Sequence, residues 1–212
     1  MIRVLLVDGH QMFREGVCSC LANDPDICVV GQAGTVAEAV DIIASTDPTV
    51  VVFDVRLPDG AGVDLARQVR SEWPTIKLVT LTGYDHTEYV RAMLRAGVDG
   101  YILKSASLSS LVEALRDVAA GGLVLPPQIA AKVVRGSSPT LALDITREPD
   151  TLTMRELEVM ELVHQGFRNG EIGARLTISS RTVEAHVSNI VAKMGARNRT
   201  DAVRIAQEHQ LI

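Results

Sequence analysis

The sequence predicts an α/β doubly wound, five-stranded parallel sheet followed by a small all-α helix-turn-helix domain. Three observations carry this reading. Short β-branched runs alternate with helical patterns through residue 120. One of those runs, "TVVVFD" at 49–54, is apolar on consecutive residues, as a strand buried on both faces requires. After Leu152 the pattern becomes wholly helical.

The strands are expected at 3–7, 27–31, 49–53, 76–81 and 100–103. Helices are expected at 11–22, 35–45, 62–72, 86–96 and 107–120. In 86–96, Val90, Met93 and Leu94 recur at helical spacing, while Arg91 and Arg95 take the other face. Five βα units in series give an open parallel sheet. Residues 1–122 form this first domain. The segment 123–150 holds a short helix started by "PPQ" and then the linker "GSSPTLALDITREPD", which loses periodicity and gathers Gly, Ser, Pro and Asp. Residues 151–212 form the second domain, with helices at 153–165, 169–176, 180–194 and 199–209. Ser179 or Ser180 can cap the third of these, and the short connection before it suits a helix-turn-helix.

Composition narrows the function. The 212 residues are 47% hydrophobic and 22% charged, with a formal net charge of −5. That balance excludes a uniformly basic coat but not a locally basic face. Residues 1–124 carry 10 Lys and Arg against 16 Asp and Glu, whereas residues 151–212 carry 8 against 7. Arg181, Lys193, Arg197 and Arg199 gather around the third helix of the second domain. Cys18, Cys20 and Cys28 show no metal-ligand spacing and read as buried, reduced thiols. No apolar run reaches the length of a membrane helix and no signal-peptide pattern precedes the first strand, so a cytoplasmic protein without a membrane partner is expected.

Open parallel sheets bind ligands at the carboxyl ends of their strands. The residues there are Asp8, Asp54, Thr82 and Lys104, so two carboxylates, a hydroxyl and an ammonium are expected on one rim. A phosphatase-like enzyme would need a second acid soon after Asp54 at the right spacing, and none is present. A flavin site would need a hydroxyl- and glycine-rich loop after the first strand, which "DGHQMF" does not provide. Neither a phosphatase-like enzyme nor a flavin site is expected.

At these residues the chain resembles the NarL/FixJ class of two-component response regulators. The first half, with "VVFDVRLPDG", "TLTGYD" and "GYILKS", is similar to a receiver domain. The tail "LTMRELEVMELVHQGFRNGEIGARLTISSRTVEAHVSNIVAKMGARNRTDAV" is similar to a LuxR-type DNA-binding domain. The resemblance implies that Asp54 accepts a phosphoryl group from a sensor histidine kinase. It implies that Lys104 pairs with the phosphate, that Thr82 follows it, and that Tyr101 is the aromatic switch. It also implies a Mg²⁺ site formed by Asp8, Asp54 and the backbone carbonyl of Arg56.

The sequence departs from the family at one telling point. Relatives place two adjacent acids after the first strand, and here they read Asp8-Gly9. The absent acid is the one that normally touches Mg²⁺ directly, so a weak site is expected, because Mg²⁺ demands near-octahedral oxygen coordination. Asp59 is the nearby acid that could compensate. Ala61, where many relatives carry an acid, is a milder departure. Two modes of control follow: phosphorylation of Asp54, or a phosphorylation-independent receiver serving dimerisation or the sensing of a ligand or partner.

For the tail, the resemblance places helix 180–194 in the major groove of double-stranded DNA. Glu184, Ala185 and Ser188 would face base edges, and Arg181, Thr182, His186, Lys193 and Arg199 would meet the backbone. His186 reads equally well as a packed histidine. Val183, Val187, Ile190 and Val191 form the core side. A homodimer, through the last helix and/or the receiver, would compensate for so few cations.

Overall fold

The run Val50–Phe53 becomes the central strand, β3, of a five-stranded parallel sheet, and all four of its residues are fully buried. The structure is a computed structural model that describes residues 1–85, 87–127, 129–130, 152–208 and 211–212. The linker 136–150 and most of the short helix proposed before it lie outside the described residues.

Around β3 the sheet runs in the order β2 (Ile27–Ala33), β1 (Ile2–Val7), β3, β6 (Lys77–Thr82), β7 (Gly100–Leu103). The chain starts near the middle, crosses to one edge and returns to build the other. This order puts the carboxyl ends of β1 and β3 side by side, where the order of the strands reverses. A register shift between Val4 and Leu5 leaves Val30 as an extra residue in β2, which runs on to Ala33, two residues beyond the sequence expectation. Helices α1 (Gln11–Leu21), α2 (Val36–Thr46), α3 (Gly62–Glu72), α4 (Thr87–Arg95) and α5 (Leu108–Ala119) follow the strands.

Local chemistry fixes several of these ends. Thr35 and Ser107 cap α2 and α5 through their side chains. Asp59 reinforces α2 from outside, accepting hydrogen bonds from the backbone N–H of Val36 at 2.7 Å and of Ala37 at 3.1 Å. Between β3 and α3 the chain makes a hairpin that the sequence pattern did not reveal, with β4 (Arg56–Leu57) antiparallel to β5 (Gly60–Ala61). Gly62 closes it against the rim, since a Cβ there would lie 2.3 Å from the backbone oxygen of Asp54.

One side of the sheet buries Val4, Leu6, Val52, Val79 and Ile102 with Leu21, Leu111 and Leu115. Each such side chain contributes about 1.5–3 kcal/mol. Of the cysteines, which are all free, Cys18 is buried, Cys28 is half-buried and Cys20 is exposed, so the expectation of three buried thiols is corrected. Cys20 lies two residues from Cys18 on α1 and faces solvent.

The chain divides into two compact units, the larger holding the sheet and the smaller the C-terminal helices. The smaller unit comprises α6 (Met154–His164), α7 (Asn169–Leu176), α8 (Ser180–Lys193) and α9 (Arg199–Glu208). Thr153 and Glu156 form a capping box at the start of α6. Ser179 caps α8, accepting from the Thr182 N–H. Between α7 and α8 the turn is tight: a Cβ on Gly173 would lie 2.6 Å from the Ile178 oxygen. Among the described residues, no helix is long and apolar enough to cross a membrane.

Candidate functional site

The rim of the sheet gathers three of the four expected strand-end groups into direct contact. Asp8 follows β1, Asp54 follows β3 and Lys104 follows β7. The Lys104 ammonium lies 2.6 Å from Asp8 Oδ2 and 2.5 Å from Asp54 Oδ2. The carboxylate side chains are only 2% and 5% exposed. Burial works against the Lys104 charge, but hydrogen bonds to Asp54 and Asp8 outweigh it and raise the lysine pKa. The Phe13 ring, 4.6 Å from Nζ, covers the ammonium from α1.

Thr82 and Tyr101 meet at a different place, through the Tyr84 main chain. The Tyr84 N–H donates to Thr82 Oγ1 at 3.4 Å, and the Tyr101 hydroxyl donates to the Tyr84 oxygen at 2.6 Å. Both Thr82 and Tyr101 are fully buried. Burial pushes the Tyr101 phenol up, with the Asp54 and Asp85 carboxylates adding to it, so it stays protonated and donates. Arg56 reaches into the same loop, donating to the Tyr84 hydroxyl at 2.7 Å, and its own N–H faces Asp54 Oδ1 at 3.5 Å.

The absence of an acid at position 9 is not made good by Asp59, whose carboxylate is engaged at the start of α2. His10 stands there instead, a residue the sequence reading passed over. Its Nδ1 lies 3.2 Å from Asp8 Oδ1, and one ligand atom each from Asp8, His10 and Asp54 fall within 4.8 Å of one another. The available signal was a histidine two positions after the strand-end acid. Two buried carboxylates sharing one ammonium carry an excess negative charge, and with the adjacent imidazole they fit a divalent cation.

In the helical unit, α8 presents Arg181, Thr182, Glu184, Ala185 and Ser188 to solvent and buries Val183 and Ile190. Val187 and Val191 are half-buried. His186 is half-buried too, and burial followed by the Arg155 cation holds its imidazole below the usual value. The two remaining candidates have internal partners. Lys193 lies 2.7 Å from Glu156 Oε2. Arg199 donates to Asn169 Oδ1 at 2.6 Å and to the Phe167 oxygen at 2.5 Å.

Comparison with known proteins joins these two sites. Residues 4–116 match the response regulator receiver domain, and residues 150–206 match the bacterial regulatory proteins of the luxR family. The chain is 36% identical to the DNA-binding transcriptional activator DevR/DosR of Mycobacterium tuberculosis, over 98% of this chain and 95% of that protein. It is 35% identical to the response regulator protein VraR of Staphylococcus aureus, over 100% and 99%. Among solved structures it is similar to ChrA, the response regulator of a heme-sensing two-component system, with 33% identity, a TM-score of 0.55 and coverage of 100% and 98%. Receiver domains typically hold Mg²⁺ through acidic residues, the class of group gathered here at Asp8 and Asp54. Of these relatives, DevR/DosR is named as a DNA-binding transcriptional activator and VraR as a response regulator. The chain belongs to the DNA-binding transcriptional response regulators that couple a receiver domain to a LuxR-family DNA-binding domain.

Proposed function

We propose that this regulator is controlled by phosphorylation of Asp54. The observation that carries the reading is the contact of the Lys104 ammonium with both Asp8 and Asp54 in a buried rim. The Asp54 carboxylate attacks the phosphorus of a phosphohistidine, and the histidine leaves as the new acyl phosphate forms. Lys104 offsets the charge on the phosphoryl oxygens, and a divalent cation held by Asp8, Asp54 and the Arg56 carbonyl would offset the rest. Thr82 and Tyr101 carry the change to the Tyr84 loop. Residues 1–122 act as the receiver, 123–150 as connector and 151–212 as the DNA-binding domain, in a cytoplasmic protein served by a sensor histidine kinase.

Intact mass after incubation with a small phosphodonor tests this. The parent should gain one phosphoryl group in the presence of a divalent cation, and Asp54→Asn should gain none. An unmodified parent under all cations would favour the second reading, for which Gly9 speaks: a receiver that serves dimerisation or partner sensing without phosphate.

On the DNA side, Glu184, Ala185 and Ser188 read base edges, while Arg181, Thr182 and His186 fix register on the backbone. Lys193 and Arg199 support that surface through their internal partners. Two copies, paired through α9 and/or the receiver, bind two half-sites. Glu184→Ala should change the preferred sequence in a binding-site selection, and Arg181→Ala should weaken all sites alike with a smaller salt slope. An unchanged preference for Glu184→Ala would contradict its role at a base edge.

A further inference from the structure

We propose that His10 takes the place of the acid missing at position 9, giving the rim a mixed oxygen–nitrogen donor set that selects a borderline first-row transition cation over Mg²⁺. This deepens the reading of the rim as a phosphoacceptor pocket and rests on it for the cation's role, though not for its binding.

Four features of the rim support the assignment. First, Lys104 engages the Oδ2 atoms of Asp8 and Asp54, and the Oδ1 atom of Asp8 faces His10. Second, His10 is the N-cap residue of α1 but makes no side-chain capping bond, so its ring is not used to hold the helix. Its backbone N–H instead donates to Asp8 Oδ1 at 2.8 Å, which fixes residue 10 against that carboxylate while the ring remains 80% exposed. Third, position 9 is closed by Pro58, since a Cβ on Gly9 would lie 3.0 Å from both Cγ and Cδ of that ring. Fourth, Asp59 is held at the start of α2. Among the described residues, Asp8, His10 and Asp54 are the group of metal-ligating side chains that converges.

The geometry permits a common cation. Bonds of about 2.1 Å space adjacent octahedral donors by roughly 3 Å and opposite ones by roughly 4.2 Å. A cluster within 4.8 Å needs only a small contraction, which an exposed ring can supply by turning. The selectivity follows from donor chemistry. Mg²⁺ is hard and depends on anionic oxygen, so losing one carboxylate costs it most. An imidazole nitrogen gives little to Mg²⁺ but bonds progressively better along the series from Mn²⁺ to Co²⁺ and beyond.

The test uses the full chain without a histidine tag and no phosphodonor, so that a failure of cation binding is separable from a failure of phosphorylation. Mg²⁺, Mn²⁺ and Co²⁺ are titrated by calorimetry, and bound Mn²⁺ is examined by pulsed electron paramagnetic resonance for coupling to ¹⁴N. The parent should bind Co²⁺ more tightly than Mn²⁺, and Mn²⁺ more tightly than Mg²⁺, with imidazole coupling. His10→Ala should lose that coupling and about tenfold in Mn²⁺ and Co²⁺ affinity, with Mg²⁺ changed less than about twofold. Asp54→Asn should weaken all three cations. Gly9→Asp, checked for folding because of Pro58, should raise Mg²⁺ affinity the most. Absence of nitrogen coupling in the parent, or equal losses for all three cations in His10→Ala, would overturn the proposal. His10 lies on the surface, so His10→Ala remains informative even if Gly9→Asp does not fold.

Discussion

Lys104→Ala is expected to slow phosphoryl transfer to Asp54 by about 10²–10³-fold, the scale for removing one donor aimed at developing negative charge. In the structure the ammonium bridges Asp8 and Asp54, each of whose Oδ2 atoms it touches. Once an Asp54 oxygen bonds to phosphorus, the ammonium is positioned to turn to a phosphoryl oxygen. Without it, an anionic donor must approach two buried carboxylates that have lost the ammonium between them. The same variant should bind divalent cations more tightly, because a competing charge has been removed from the same oxygens. A time course of adduct formation by mass, alongside a cation titration, reads both effects. Equal transfer rates in variant and parent would remove Lys104 from the reaction.

Lys193→Ala is expected to destabilise the helical unit by about 2–3 kcal/mol, somewhat below the usual cost of breaking a fully buried pair because Lys193 is partly exposed. Glu156 is 3% exposed and belongs to the capping box of α6, so the variant leaves its charge buried without the ammonium. Burial works against this carboxylate, but hydrogen bonds from Lys193 and from the backbone and hydroxyl of Thr153 hold its pKa below the ordinary value. A folded-state pKa below the unfolded one means stabilisation that is complete above the unfolded value of about 4.3 and lost as pH falls through the folded value. The difference between parent and variant in urea unfolding should therefore be full at neutral pH and disappear in acid. Glu156→Gln in the Lys193→Ala background should recover part of the loss, since an amide tolerates burial better. If Lys193→Ala unfolded like the parent yet bound DNA poorly, the lysine would belong to the DNA backbone instead.

These two lysines show where sequence reasoning reaches and where it stops. Lys104 was legible because a parallel sheet delivers strand ends to one rim, and the strands themselves announced their burial through runs such as Val50–Phe53. The helices of the smaller unit were legible to within a residue or so at their ends, as with α8 from Ser180 to Lys193. The family resemblance implies that Lys193 meets the DNA backbone, and its ion pair with Glu156 is a further role that the sequence does not announce. Its partner lies 37 residues earlier, inside the apolar pattern of α6, and no local periodicity signals such a pairing. The hairpin of β4 and β5 escaped notice because two-residue strands have no period to detect. Asp59 could not be placed, because its role at α2 depends on that hairpin bringing it 22 and 23 residues back along the chain. His10 was within reach: its spacing from Asp8 is local.

The Tyr84 main chain has a consequence for how many states the rim can hold. Its N–H is committed to Thr82 and its carbonyl to Tyr101, so two side chains on different strands grip adjoining units of one short stretch of backbone. A threonine hydroxyl that turned toward a group on Asp54 would release the N–H, and the backbone reorientation that followed would carry the carbonyl away from the phenol. On the proposed reading, two side chains with several rotamers each would share one coordinate. The rim would then act as a single latch with two handles, neither of which turns alone.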